Sequence, residues 1–167
     1  DHYDVQPDII CIAKGIGSGL PIGVCVARAD LMDWKPGAHA STFGGNPVCI
    51  AAALKTIELL EGGLVNNAAE VGAYLKAGLE KLQQKYDCIG DVRGLGMMLG
   101  VEFVTDKVSL KADPELRDRI EVACFDRGLI ILGAGKNTIR WSPPLILTKE
   151  NVDVALEIFD DAIAASI

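Results

Sequence analysis

The chain has 167 residues, of which 50% are hydrophobic and 23% are charged, so it can form a core of ordinary proportions in one domain or two small lobes. Its formal net charge of −7 argues against nucleic acid as a partner, because phosphate binding requires a clustered cationic surface. No apolar segment is long enough to span a bilayer, so we expect no membrane partner.

The cysteines and histidines restrict the compartment and the metal chemistry. Five cysteines, an odd number, are spread along the sequence with no close pair, which predicts reduced thiols and a cytoplasmic location. The chain has only two histidines and no C-x-x-C pair. Because structural zinc sites are built from such groups, the sequence predicts no metal site.

The first part of the chain contains two apolar runs around a glycine-rich loop. DIICIA (8–13) and IGVCVA (22–27) are nearly continuous in apolarity, which predicts two buried strands. The stretch between them carries Lys14, followed by three glycines at alternate positions. The residues alone leave two interpretations open: Lys14 is a solvated strand end, or it points into a closed pocket and performs chemistry there.

A loop and two helices are predicted next. ADLMDW indicates one helical turn, and KPGAHASTFGGN (35–46) has the composition of a loop. Asn46 and Pro47 are typical of an N-cap and a first helical residue, and this helix is predicted to end near two glycines at 62 and 63. An apolar stripe at three- and four-residue steps predicts a second long helix from about 64 to 86.

The next segment is predicted to contain one strand and one helix. DVRGLGMMLGVEFV (91–104) has the pattern of a strand that contains glycines. Asp113, Pro114 and Gly128 predict the N-cap, the first residue and the stop of the helix that follows.

Two strands and a helix are predicted at the end of the sequence. LIIL (129–132) and NTIRWS (137–142) indicate strands separated by a GAGK turn. Thr148 is predicted to cap the final helix. Asp160 and Asp161 lie near the end of that helix, where we expect solvated charge.

The order of strands and helices predicts an α/β or α+β fold, divided near residue 64. Residues 1–63 have the pattern of the edge of a larger sheet, and residues 64–167 carry the elements of a compact lobe. Two strands and one helix cannot cover both faces of an apolar sheet. We therefore expect the chain to be a piece of a longer polypeptide.

Three segments together resemble a known family: PDIICIAKGIGSGLPIG, STFGGNP and NTIRWSPPL. In this order and at this spacing they resemble the class III aminotransferases of the pyridoxal-phosphate fold type I group, which include the 4-aminobutyrate, ornithine and acetylornithine enzymes. The resemblance covers essentially the whole chain and implies the C-terminal portion of such an enzyme. It implies an α/β fold type I transferase, with 1–63 as an incomplete C-terminal part of the large, cofactor-binding domain and 64–167 as the small α+β domain.

The resemblance also implies roles for three residues. Lys14 would form the Schiff base with pyridoxal phosphate and act as the catalytic residue, which requires an amine that can lose its proton. Thr42 would bind the cofactor phosphate of a neighbouring subunit, which implies a homodimer with a shared active site. Arg140 would hold the substrate carboxylate in a bidentate grip. Without the resemblance, Thr42 is a residue of an ordinary turn and Arg140 a solvated or stacked strand residue.

The implied reaction moves an amino group from an ω-amino acid, with 4-aminobutyrate preferred, to a 2-oxo acid. The family's phosphate cup, its ring-stacking aromatic residue and its aspartate at the pyridine nitrogen have no counterpart in this sequence. Two alternatives to the aminotransferase reaction stay open. The chain is a catalytically silent folding or dimerisation module, or it belongs to a racemase or aminomutase of the same fold.

Overall fold

A computed structural model describes residues 2–167. The chain divides into two compact units, Asp1–Gly62 and Gly63–Ile167. Over the described range, no helix combines the length and the apolarity needed to cross a membrane.

The first unit consists of a strand pair, two short 3₁₀ turns and one helix. These elements are β1 (Ile9–Ile12), a turn at Lys14–Gly17, β2 (Val24–Ala27), a turn at Ala29–Leu31, and α1 (Pro47–Leu59). The strands pair antiparallel, with Cys11 opposite Cys25. All residues of β1 and all but one of β2 are exposed. The prediction of two buried strands is therefore wrong for this chain, because no layer within residues 2–167 covers them.

Helix α1 begins where the sequence predicts. The Asn46 side chain accepts hydrogen bonds from the Val48 and Cys49 N–H groups at 3.0 and 3.2 Å, which satisfies two donors at the helix start. The helix packs against the turn at Lys14–Gly17. The hydroxyls of Ser18 and Thr56 lie 2.9 Å apart at this contact, so α1 supports the loop that follows β1.

The second unit is an antiparallel sheet covered by helices. Its elements are α2 (Val65–Lys85), β3 (Ile89–Leu95), β4 (Met98–Phe103), α3 (Pro114–Asp126), β5 (Leu132–Ala134), β6 (Thr138–Trp141) and α4 (Lys149–Ala164). The strand order is β3-β4-β6-β5. Asp113 accepts a hydrogen bond from the Leu116 N–H at 2.9 Å, and Thr148 forms a capping box with Asn151. The predicted starts of α3 and α4 are therefore confirmed.

Two predictions in this unit are wrong in detail. The segment predicted as one strand over 91–104 is a hairpin, β3 and β4, because Gly94 and Gly96 have φ of 131° and 54°, values that favour glycine and turn the chain. The strand predicted at 129–132 begins at Leu132, since the ladder with β6 starts there. The GAGK segment consequently belongs partly to β5.

The core of the second unit lies between the sheet and its helices. Strands β4 and β6 alternate between buried positions and half-buried or exposed ones, as expected when one face of a sheet is covered. Ile139 and Trp141 point to the core, and the Trp141 ring lies edge-on to Phe159 of α4 at 5.1 Å. Arg140, between them, is exposed on the opposite face of the sheet.

Candidate active site

Lys14 lies at the point where β1 ends and the first 3₁₀ turn begins. Its φ is 57°, a left-handed conformation that costs a residue other than glycine about 1–2 kcal/mol. Ser18 and Gly19 in the same loop also have positive φ. Strained backbone of this kind persists where the surrounding structure holds it, and it concentrates at functional sites.

The Lys14 side chain is exposed. Within residues 2–167 it forms neither a hydrogen bond nor an ion pair. The residues described here therefore present the amine but do not enclose it.

Thr42 lies in the glycine-containing loop just before α1 and is exposed. The Asn46 N–H donates to the Phe43 carbonyl at 3.2 Å, and Gly45 has a φ of 73°, so the loop is tightly turned. Within the described range, the backbone N–H groups of Thr42, Phe43 and Gly45 donate no hydrogen bond. Free N–H groups beside a hydroxyl form a donor set that suits an anion such as phosphate.

Arg140 lies on β6, opposite Gly100 of β4 and Leu132 of β5. Directly opposed residues share one face of an antiparallel sheet, so Arg140 has a glycine on one side and a leucine on the other. Gly100 contributes no side chain on that side, although a Cβ there would lie 3.1 Å from Thr138 Cγ2. Trp141, only 4% exposed, anchors the strand on the other face.

Arg140 differs from the other arginines in its contacts. Within residues 2–167, five of the six arginines donate side-chain hydrogen bonds and only Arg140 donates none. It lines a cavity of about 390 Å³ whose other walls are mostly apolar, formed by Leu75, Leu129–Leu132, Trp141–Pro144, Leu147, Val152 and Ala155. A guanidinium without a partner in this range is suited to bind the carboxylate of a small organic acid.

The three predicted site residues are distributed over both units. Lys14 and Thr42 lie in the first unit and Arg140 in the second. No hydrogen bond joins Lys14 to Thr42 in the part of the chain that the structure describes.

The Trp141 indole is a feature that the sequence did not reveal. Its Nε1–H is buried and has no hydrogen-bond partner within residues 2–167, although buried donors are usually satisfied. Trp141 also lines the cavity beside Arg140. No sequence signal indicates an unsatisfied donor, because the burial of the ring depends on α4.

Asp161 is exposed, as the prediction of solvated charge requires, whereas Asp160 is half-buried and also contacts protein groups. Its carboxylate accepts hydrogen bonds from the Tyr86 hydroxyl at 2.6 Å and from Lys85 Nζ at 2.7 Å, which connects α4 to the end of α2. Burial acts to raise the pKa of Asp160, but the two hydrogen bonds outweigh it and the pKa is lowered. The hydrogen bond to Asp160 raises the pKa of Lys85. This cluster joins two helices and is separate from the predicted site residues.

Comparisons with known proteins place the chain in one family. The family described as Aminotransferase class-III matches residues 1–163. An acetylornithine aminotransferase from Caldanaerobacter subterraneus subsp. tengcongensis is 41% identical over 165 residues, which is 98% of this chain and 40% of the relative. An alanine/serine racemase from Pyrococcus horikoshii is 41% identical over 166 residues, which is 98% of this chain and 35% of that relative.

Solved structures share the fold. An amine transaminase from an uncultivated Pseudomonas species, in its PLP-bound form, superimposes with a TM-score of 0.90 at 34% identity, covering 99% of this chain and 40% of that one. The α/β transaminase fold predicted from the sequence is thereby confirmed. The chain spans about 40% of the length of the acetylornithine relative that it matches.

Proposed function

Because the chain belongs to the class III aminotransferases, whose cofactor is pyridoxal phosphate, we propose that it is part of an enzyme that transfers an amino group from an ω-amino acid to a 2-oxo acid. The observation that carries this proposal is the strained turn at Lys14, with φ of 57°, in the segment that matches the family's lysine motif. A strained turn at this lysine fits a residue that must hold its amine in a defined place.

We propose that Lys14 and Thr42 hold the cofactor. The Lys14 amine suits covalent attachment to an aldehyde carbon. The Thr42 hydroxyl and the free N–H groups of its loop suit the phosphate. When bound, pyridoxal phosphate withdraws electrons from the substrate carbon that carries the amino group. Once the substrate amine has displaced it from the aldehyde carbon, Lys14 Nζ would accept a proton from the substrate carbon and return it to the former aldehyde carbon.

We propose that Arg140 binds the substrate carboxylate. Its guanidinium has five donors in a planar fork that matches a carboxylate, and none of them is used within residues 2–167. Arg140 is exposed in this chain, so a substrate carboxylate can reach its guanidinium. Bidentate binding of the carboxylate would fix the orientation of the amino-bearing carbon.

The organisation of the whole protein is part of the same proposal. Residues 1–63 would belong to the large domain and 64–167 would form the small domain. Thr42 would reach the active site of a second copy, so that the enzyme works as a homodimer. All five cysteines are free thiols, which supports a cytoplasmic location.

We propose the amino donor first as a class of compound and then as two candidate compounds. An ω-amino acid fits the family, and 4-aminobutyrate is the preferred candidate by the sequence resemblance. N-acetylornithine is the second candidate, since one relative is named an acetylornithine aminotransferase. In both compounds the reacting amine lies at a distance from a carboxylate, so either would place an anion near a cationic group such as Arg140.

A second candidate function is the racemisation of an α-amino acid. It is supported by the relative named an alanine/serine racemase, which is as similar as the aminotransferase at 41% identity. In a racemase the amino group stays on its carbon: a proton is removed from that carbon and another is added to the opposite face, so no 2-oxo acid is consumed. Because both reactions require the lysine and the cofactor, Lys14 and Thr42 would keep their proposed roles.

The test begins with the attachment of the cofactor. The purified protein is incubated with pyridoxal phosphate, reduced with borohydride, digested and mapped by mass spectrometry. We expect a phosphopyridoxyl group on Lys14 and none in Lys14→Arg, since arginine keeps its proton. A label on other lysines alone, or no label, would contradict the proposal and favour a catalytically silent module.

A substrate panel then separates the two functions. We expect 4-aminobutyrate or N-acetylornithine, together with 2-oxoglutarate, to yield glutamate in proportion to the donor consumed. Inversion of a single enantiomer of alanine or serine without any 2-oxo acid would instead establish the racemase. The alanine and serine assays include a control without protein, because free pyridoxal phosphate slowly catalyses the same exchange.

A further inference from the structure

Glu102 and Arg140 are diagonal neighbours on one face of the four-stranded sheet. Gly100 of β4 lies opposite Arg140 of β6. Glu102, two positions further along β4, lies opposite Thr138. Residues two positions apart on a strand point to the same face, so Glu102 and Arg140 share the face that is turned away from the core. Diagonal neighbours are about 7–8 Å apart, a distance that long side chains can bridge. Without another restraint, these opposite charges would be expected to form an ion pair.

The Glu102 carboxylate is bound by other residues instead. Its Oε2 accepts a hydrogen bond from Arg93 Nη1 at 2.6 Å, and the two groups form an ion pair. Its Oε1 accepts a hydrogen bond from Asn137 Nδ2 at 3.5 Å. Arg140 takes part in no hydrogen bond of its side chain and no ion pair within residues 2–167. Both oxygens of Glu102 are thus engaged, and Arg140 is left without this acid as a partner.

Arg93 is held in place by contacts on three strands. It lies on β3, where its Nη1 also donates to Asp91 Oδ2 at 2.8 Å. Its Nη2 donates to Thr138 Oγ1 of β6 at 3.4 Å. Isolated ion pairs at a protein surface contribute little, whereas several charges that form a network hold one another in place. The Arg93 guanidinium therefore links β3, β4 and β6 and fixes the position of Glu102 between them.

We propose that Arg93 is a positioning residue that holds Glu102 away from Arg140 and so keeps the Arg140 guanidinium free for a substrate carboxylate. This inference rests on the proposed function of Arg140. Without Arg93, Glu102 would turn to Arg140 and compete with the substrate for the same donors. All of these residues belong to the second unit, and their register is set by the ladders of β4 with β3 and β6. The arrangement therefore depends on contacts inside that unit.

The first experiment measures the pairing of Arg140 and requires neither cofactor nor substrate. The purified chain is treated with phenylglyoxal, which modifies guanidinium groups, and the rate at each arginine is followed by mass spectrometry of its peptides. We expect Arg93→Met to slow the modification of Arg140 about 2- to 5-fold, the effect of one ion pair at a protein surface. The rate at Arg127, at the end of α3, should not change, which excludes unfolding as the cause.

Two double variants separate the pairing of Glu102 from a change in net charge. R93M/E102Q should restore the wild-type rate at Arg140, because the competing carboxylate is gone. R93M/D91N is the matched control, since it removes one negative charge from the same face. Asp91 lies on β3, two strands from Arg140 and so about 9–10 Å away, and this variant should keep the slow rate. A rate at Arg140 that R93M leaves unchanged, or that D91N restores as fully as E102Q, would overturn the proposal.

Steady-state kinetics of the active enzyme connect this pairing to substrate binding. We expect R93M to raise KM for a carboxylate substrate about 2- to 5-fold with kcat unchanged, and R93M/E102Q to return KM to the wild-type value. Arg140→Lys distinguishes this proposal from the proposed function. An unchanged KM in Arg140→Lys would show that Arg140 does not bind the substrate carboxylate. A KM that Arg140→Lys raises and R93M does not would refute the role of Arg93 alone.

Discussion

Gly72 provides a sharp test of how the second unit is packed. It lies within α2, where replacing glycine by alanine normally stabilises a helix by about 0.8–1.0 kcal/mol. A Cβ atom at this position, however, would lie 2.3 Å from the carbonyl carbon and oxygen of Gly96, in the turn between β3 and β4. Gly72→Ala therefore sets helix propensity against contact with backbone that cannot rotate away.

The magnitude follows from the distances. Carbon atoms in contact prefer about 3.5–4.0 Å, so α2 and the hairpin would have to separate by about 1 Å. Gaps of about 0.5–1 Å already lose a quarter to a half of each contact, and overpacking of a core typically costs about 1–3 kcal/mol. Because the 2.3 Å contact is with backbone atoms, we expect a cost in the upper part of this range, about 2–3 kcal/mol. After the gain of about 1 kcal/mol in helix propensity, Gly72→Ala should reduce the free energy of unfolding by about 1–2 kcal/mol.

Gly78→Ala is the matched control, because it makes the same change in the same helix. There the added Cβ would meet Leu156 Cδ1 at 2.2 Å, the end of a side chain that can rotate. A cavity of about 390 Å³ beside Gly78 and Leu156 provides space for the rotation. We expect the free energy of unfolding of Gly78→Ala to stay within about 1 kcal/mol of the wild type.

Urea unfolding monitored by Trp141 fluorescence provides the assay. Trp141 is buried in the second unit, and a Trp34→Phe background removes the only other tryptophan. With a slope of about 1–3 kcal/mol/M in urea, Gly72→Ala should lower the midpoint by about 0.3–2 M. An unchanged or higher midpoint for Gly72→Ala would refute the close approach of α2 to the hairpin.

Three further predictions concern single side chains. Arg140→Lys should raise KM for a carboxylate substrate about 10- to 100-fold, since hydrogen bonds to charged groups contribute about 1.5–3 kcal/mol; an unchanged KM would contradict a bidentate grip. Asp113→Ala should lower the free energy of unfolding by about 1 kcal/mol by removing the α3 N-cap, measured by urea unfolding against Asp118→Ala as control. Because the pKa of Asp160 is lowered and that of Lys85 is raised in the folded state, their contribution to stability is present between the two unfolded pKa values. It should be lost as pH falls through the folded pKa of Asp160 and as pH rises through that of Lys85. A stability difference between wild type and Asp160→Asn that is constant from acid to alkaline pH would exclude this linkage.

Helix ends and strand positions differ in how well the sequence predicts them. Asn46, Asp113 and Thr148 cap helices as expected, because a cap is a contact between residues two or three positions apart. The division of 91–104 into β3 and β4 was not predicted. It depends on Gly94 and Gly96 adopting positive φ, and the sequence shows only that glycine could do so.

Burial was the least predictable property, because it depends on what covers a surface. The strands β1 and β2 have the apolar composition of buried strands, yet they are exposed in this chain. Asp160 has the composition of a solvated helix end, yet it accepts hydrogen bonds from two residues of a distant segment. Neither outcome follows from local pattern.

The sequence by itself determined the family, the helix starts and the position of Lys14 at the end of an apolar strand, since these depend on motifs and on neighbours along the chain. Only the tertiary structure decided that Arg140 faces away from the core, with its guanidinium unpaired among residues 2–167, and that Cys11 lies opposite Cys25. The physical reason is that strand register and helix packing are set by contacts between residues far apart in sequence. A shift of one residue in register would turn Arg140 to the core and separate the two thiols.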